Sequence, residues 1–587
     1  MDKNESNQTK GMTNMVSKES SNKSKDVIES VLTIVGVIAF AFILSFLCKK
    51  AMVTDSEPEL TIGTNNAETK LYNADYDGAI SEYEVSKEKD KEEWPMYKVK
   101  EAEAYSLKGD YTYSNRLLSE AYDKRNELIR KNGIEKYKDQ DKELGNLIVF
   151  TALMNGDVEK ALEYGEIFLL DDDENSKLNK TLFSVYLAKG EKDKAEEILD
   201  DIKYDENSAK ELSELAYMNM VINNYEKAFE YLEKAYELDK NEVSIYDVIE
   251  DISMYHRDKL INNLKSLSKK NKDEESYKIF LAKCYSLNVL TAEEAQKILD
   301  KISSSELPDM PYKIIQADIY KNLGKKDKYD EIITELIEDE KDNYYGEYIK
   351  AKYALENKEY TEGINYAKQS IISNRDYINT YYKLMPYFLY EEKESEKAES
   401  YIRTALYKEP FNYNILIELA NYCGNVQKDS DKAIKYYDLA LAMDNKNSEI
   451  YYNMAMIKSG LKKNDEAKVL INKAIDLNSE EVKYYRKLAN IYLLDKESDK
   501  AIKTIRKAYD INKDDINTLN DAGYCYMLEG EVDRALTNFK SAFEGINDST
   551  DVTVRDAITK NYDKAKEYSA NKNLWTKSAI DDFKYLD

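Results

Sequence analysis

Asn517 to Glu544 reads NTLNDAGYCYMLEGEVDRALTNFKSAFE, with small residues at Gly523, Ala535 and Ala542, aromatic residues at Tyr526 and Phe539, and a turn glycine at Gly530. Moving back 34 residues lands on Ala489, Tyr492, Ala501, Ile505 and Ala508. A second step of 34 gives Ala455, Ala467, Ile471 and Ala474, and a third, from Ala467, gives Ala433, Tyr437 and Ala440. Self-similarity at a fixed period of this size is the signature of a repeat array. The small residue in the middle of the motif continues upstream as Ala398, Gly363, Tyr329, Ala295, Leu260, Ala228, Ala195, Ala161, Ser114 and Ala79. That makes about fourteen units. Spacings stay between 32 and 35 except for 47 between Ser114 and Ala161, where extra residues near Asp123 to Glu135 lengthen a helix and its turn. The Leu260 unit is the weakest, since neither small residue is kept there.

Composition agrees with an all-α chain. Eighteen Gly and 6 Pro among 587 residues are too few turn-makers for a large β protein, and 42% apolar content is too high for disorder. Lys and Arg number 86 against 113 Asp and Glu, a net charge of −27 that repels phosphate backbones and disfavours nucleic acid as a partner. One His and four Cys without a CxxC leave no ligand set for zinc or an iron–sulfur cluster and no disulfide framework. No Walker A sequence, GxGxxG, HExxH, GxSxG or DxDxDG loop is present, so neither catalysis nor a cofactor is expected. Asp171 to Glu174 (DDDE) reads as a solvated acidic linker, and the lone His256 as structural.

The repeat pattern resembles the tetratricopeptide repeat family, whose units carry small residues at the eighth, twentieth and twenty-seventh positions and aromatics at the eleventh and twenty-fourth. The resemblance covers residues 61–548. It implies an all-α, right-handed superhelical solenoid of helical hairpins, in which small residues let two backbones approach while large ones fill between them. Pro410 falls where the family often has proline, and Tyr382, Tyr451 and Tyr485 stand where it often has tryptophan. Most of the 51 Tyr are expected in the core, among them Tyr105, Tyr186, Tyr320, Tyr492 and Tyr526 at the consensus aromatic sites. Residues 549–587 form a cap and tail, with a helix over 552–569 covering the open end of the array.

Ahead of the repeats, Val31 to Cys48 (VLTIVGVIAFAFILSFLC) has no charge, and residues 27–48 are long enough to span about 30 Å of hydrocarbon. Each central Leu, Ile, Phe or Val favours insertion by about 0.3 to 0.6 kcal/mol. The stretch is longer than a signal-peptide core, and Lys49 and Lys50 interrupt a cleavage pattern, so an uncleaved single-pass anchor in a lipid bilayer is expected. Lys10, Lys18, Lys23 and Lys25 precede it and only Lys49 and Lys50 follow closely, which places the N-terminus in the cytoplasm and the repeats outside. Residues 1–26 read as a disordered polar tail and 49–60 as a linker.

Solenoids of the resembled family bind peptides or partner helices on the concave surface, lined by the first helix of each unit. The positions so implied are Lys383, Tyr387, Tyr390, Asn421, Tyr452, Met456, Lys483, Arg486, Asn490 and Tyr524, a basic and aromatic strip suited to carboxylates or acidic peptides with apolar anchors. The family's carboxylate clamp maps, with a one-residue insertion near Gly424 to Lys428, onto Ile417, Asn421, Asn453, Lys483 and Lys487. Ile417 replaces the first lysine of that clamp and Lys487 its arginine, which loses the planar fork. The expectation is a membrane-tethered scaffold for proteins of an envelope assembly. The alternative is a cytosol-facing receptor for chaperones or precursors, laid out like mitochondrial outer-membrane import receptors.

Overall fold

Asp75, Asp110, Asp157, Asn224 and Asp429 each accept a backbone N–H at the start of the helix that follows, so five hairpins turn on the same side-chain cap. The residue before each cap is in the left-handed region: Ala74, Gly109, Gly156, Asn223 and Lys428. That conformation recurs through the array at Gly190, Gly324, Lys358, Lys393, Lys462, Lys496 and Gly530, at close to the repeat period. With so few glycines available, lysine takes the turn at five units, against a steric penalty of roughly 1–2 kcal/mol.

The computed structural model describes residues 60–90, 94–271, 274–302, 308–547 and 550–586, and among these there are helices and no strand. Hairpins follow one another from Asn66–Tyr72 with Tyr76–Lys89 to Ile516–Leu528 with Val532–Glu544, and Val552–Ala570 closes the series. The small residues at 79, 114, 161, 195, 228, 295, 398, 433, 467, 501 and 535 are all fully buried at helix crossings. The long spacing after Ser114 is taken up by the 22-residue helix Tyr111–Asn132. In the Leu260 unit the turn is missing: Val243–Lys270 runs on as one element that bends at His256 (φ −126°, ψ 28°). The inserted residue near 424–428 appears as a π-helical turn at Cys423–Gln427.

The array does not stay open along its length. Six consecutive first helices bond to or pack against one distant part of the chain, residues 375–444. Tyr72 Oη lies 3.1 Å from Thr404 Oγ1, and Ser400 Oγ donates to the Leu71 carbonyl at 2.7 Å. Arg403 reaches Ser106, and Phe150 packs edge-on to Tyr407. Ser184 Oγ donates to the Pro410 carbonyl at 2.9 Å, and Tyr217 Oη to Asn412 at 3.0 Å. Asp251 then accepts from Tyr382, Asn412 and Lys383. The effect is strongest in Lys138–Met154, where every residue from Leu144 to Met154 is buried. One hydrophobic core runs from Ile62 to Met454, with a small separate cluster of Ala67, Ala79 and Tyr83 in the first hairpin, and the later hairpins hold smaller clusters of their own.

Three expectations are revised or fall elsewhere. Of the acidic stretch 171–174, Asp173 and Glu174 are exposed as expected, whereas Asp171 ends the helix Val158–Asp171 and, though exposed, accepts at 2.6 Å from Arg125, whose buried guanidinium also grips Asp141. Lys383, expected in an open groove, sits inside the molecule against Asp251 at 2.8 Å and Glu250 at 3.2 Å, because residues 375–444 turn inward there. The expected membrane stretch, 27–48, lies outside the described residues, as do 1–26 and 49–59; among the described residues no helix is long and apolar enough to cross a membrane.

Candidate interaction groove

From Ser448 onward the first helices Ser448–Gly460, Val482–Leu494 and Ile516–Leu528 pack side by side and present Tyr452, Asn453, Met456, Lys483, Asn490 and Tyr524 half-buried. Small residues set the spacing. At Gly523 a β-carbon would stand 2.7 Å from Phe539 of the same hairpin, so the two backbones meet at contact distance only because that carbon is absent.

The strip expected from sequence is divided by the fold. Tyr387 and Tyr390 are exposed, at 50% and 59%, on the helix Met385–Glu391. Asn421 and Asn453 come together, Asn453 Nδ2 donating to Asn421 Oδ1 at 3.2 Å, and Tyr437 Oη bonds the same oxygen. Tyr452 and Tyr484 rings lie 5.3 Å apart with the Lys483 ammonium 5.1 Å over Tyr452. That ammonium is paired with Glu449 at 2.8 Å. Ile417 and Lys487, the remaining positions of the expected carboxylate clamp, are buried. A ligand carboxylate would therefore have to displace Glu449 from Lys483, and would gain little net charge attraction by doing so.

Further along, Arg486 is held at 2.8 Å by Asp521, whose side chain is fully buried. Burial is the larger influence on that carboxyl and pushes its pKa up to about 7, against the lowering effect of Arg486. Asn520, also fully buried, and Asn561 of the closing helix lie beside it, Asn561 Nδ2 donating to Asn520 Oδ1 at 2.8 Å. These three residues were missed in the sequence reading. Asn520 stands four residues before Tyr524 on the same helix face, a signal that was available; Asn561 lies in a helix without the repeat pattern and gave none.

A recess lies at the seam where residues 375–444 meet the early hairpins. It is a cavity of about 300 Å³ bordered by Lys210, Glu214, Tyr217, Asp247, Glu409 and Asn412. Burial raises Asp247 to about 7, and burial with the neighbouring Glu214 raises Glu409 to about 8. Among the described residues no group of three or more His, Cys, Asp or Glu is placed to hold a metal ion, and Cys284, Cys423 and Cys525 are free and buried.

The family model of the tetratricopeptide repeat matches residues 214–242, 448–481 and 482–515. The last two are the hairpins that carry Tyr452, Lys483 and Arg486. No curated protein matches the sequence. Among solved structures, the chain is similar to one in the APC/C hetero-tetramer Cut9–Hcn1, at 14% identity over 85% of this chain and 95% of that one, with a TM-score of 0.36. It is similar to yeast Tom70 at 16% identity over 76% and 90%, with a TM-score of 0.33. It is also similar to YrrB, described as a tetratricopeptide-repeat protein with an unusual peptide-binding site, at 21% identity over 31% and 91%, with a TM-score of 0.25.

Proposed function

The chain carries tetratricopeptide repeats, and from that premise we propose that it is a membrane-tethered scaffold that binds partner proteins on its last hairpins. The observation behind this reading is the row of half-buried aromatic, amide and basic side chains from Tyr452 to Tyr524, beyond the point where the molecule's own middle fills the concave face. Aromatic rings beside satisfied polar groups are what peptide and protein hot spots are made of. The uncharged run 31–48 supplies the tether, and the lysine excess before it puts the repeats on the extracytoplasmic side. Confinement at a membrane raises the effective concentration of a client there, so modest groove affinity suffices and no covalent chemistry is needed.

The test is photo-crosslinking in intact cells, with a photoreactive amino acid in place of Tyr452 and, as control, of the 71%-exposed Val469 on a second helix. A discrete adduct at position 452 but not at 469 supports the reading; equal labelling, or none at 452, overturns it. Protease treatment of the same cells reports the side of the membrane. Digestion before lysis supports an extracytoplasmic scaffold, and protection until lysis moves the repeats to the cytosol.

A further inference from the structure

At its far end the groove is already filled. After the 3₁₀ turn Lys577–Asp582, the chain extends at Phe583 (φ −108°, ψ 151°) and residues 584–586 run without helix across the first helices. Lys584 donates its N–H to Asn561 Oδ1 at 2.9 Å, and its carbonyl accepts from Asn561 Nδ2 at 2.8 Å and Asn520 Nδ2 at 3.1 Å. Leu586 donates its N–H to Asp521 Oδ1 at 2.7 Å, while its carbonyl accepts from Arg486 Nη2. Two residues, two apart in sequence, thus have both main-chain groups gripped. That is the spacing at which an extended strand turns alternate backbone groups to one edge, so side-chain amides and an Arg–Asp pair stand here where a neighbouring strand would be.

Side chains supply the rest of the fit. Phe583 stacks on Phe539 at 5.5 Å, Tyr585 meets Tyr524 edge-on at 5.6 Å and donates to the Arg486 carbonyl at 2.7 Å, and Leu586 is buried beside Leu519 and Ile558. Lys584 points out. Asn520, Asp521 and Asn561 are all fully buried with the segment in place, and lose partners if it leaves. The site therefore favours any occupant that returns the same backbone groups.

We propose that helices 482–494, 516–528 and 552–570 form a reader of extended peptide backbone which the chain fills with its own residues 583–586, and that a partner binds by replacing them. The partner class is a protein segment with the pattern aromatic, any residue, aromatic, aliphatic. The inference rests on the scaffold reading and specifies where that scaffold binds and what it must release to do so.

The test uses the full chain and a fluorescein-labelled peptide of residues 578–587, SAIDDFKYLD. Substituting Phe583→Ala, Tyr585→Ala and Leu586→Ala together frees the site, and by anisotropy this variant binds the peptide at least about tenfold more tightly than the unmodified chain, whose site is occupied. The same peptide N-methylated at the Lys584 and Leu586 amides fails to bind. A variant of unchanged helicity that ignores the peptide, or equal binding of the N-methylated peptide, overturns the proposal and leaves the segment as a structural cap. If the triple variant loses helicity, amide exchange decides in the unmodified chain. Excess unlabelled peptide accelerates exchange at Lys584 and Leu586, and unchanged protection contradicts the proposal. Crosslinking at position 452 together with no peptide binding would remove this inference while leaving the scaffold reading in place.

Discussion

The hairpins from Asn66 to Met443 and those from Ser448 to Glu544 are built on one 34-residue unit, yet the first group has closed on itself and the second has not. In the early group the first helices from Asn66–Tyr72 to Val243–Lys270 meet residues 375–444 as well as their own hairpins. In the late group the inner side of the first helix carries Tyr452, Lys483 and Asn490 toward solvent. A solenoid's stability is a sum over neighbours until its superhelix brings distant repeats into contact, after which non-neighbours share a core and the sum no longer holds. Here one chain shows both regimes: a closed body up to Met443, and later hairpins whose first helices keep Tyr452, Lys483 and Asn490 half-buried.

The sharpest way to break that contrast is to remove one lysine from each part. Lys383→Ala leaves Asp251, 5% exposed, with Tyr382 and Asn412 but without its cation at 2.8 Å, and by the usual penalty for breaking a buried ion pair costs about 3–5 kcal/mol. Lys483→Ala removes a pair with Glu449 whose members are 39% and 27% exposed, and costs no more than about 1 kcal/mol. Urea denaturation of the two variants measures the difference; equal losses would mean that the two parts are not distinct.

Gly523→Ala is the next largest. Its β-carbon meets the Phe539 ring, at an expected cost of about 1–3 kcal/mol. In a linear stretch that loss stays local, so the melting step of the late hairpins moves down while the closed body's step does not.

Asp247→Asn probes the seam through pH. A carboxyl raised to about 7 binds a proton more tightly in the folded state, so its contribution to stability is complete below its unfolded value near 4. That contribution is lost as pH rises through about 7. The variant therefore resists urea better than the unmodified chain at pH 8.5 and gains little at pH 4; a pH-independent difference would contradict the assignment.

The smallest effect is at the turns. Lys462→Gly relieves a left-handed lysine (φ 61°) at the expense of greater freedom in the unfolded chain, leaving a gain of up to about 1 kcal/mol. A raised melting temperature of the late hairpins checks it.

The hairpins were legible because close helix crossings demand small residues, and Ala433, Ala467, Ala501 and Ala535 announce those crossings from sequence alone. Closure was not, because its contacts join residues far apart in the chain: Tyr72 with Thr404, Ser106 with Arg403, Asp251 with Tyr382. The available sign was the run LGNLIVFTALM at 144–154, apolar on every face where a groove-lining helix keeps one side polar. The sequence places Lys383 in the groove because repeat position cannot tell an open concave face from one filled by the same molecule. At the candidate site, Arg486 and Tyr524 stood out as basic and aromatic, whereas Asn520, Asp521 and Asn561 matter through main-chain hydrogen bonds to a segment that the repeat pattern does not include.

Native-state hydrogen exchange of the full chain in rising urea tests the division most directly. The account predicts that helices 66–72, 76–89 and 398–443 open together in one late step, while helices 464–544 open earlier and in stages. Exchange of 66–89 ahead of, and independently from, 398–443, as at the free end of a linear array, would contradict it.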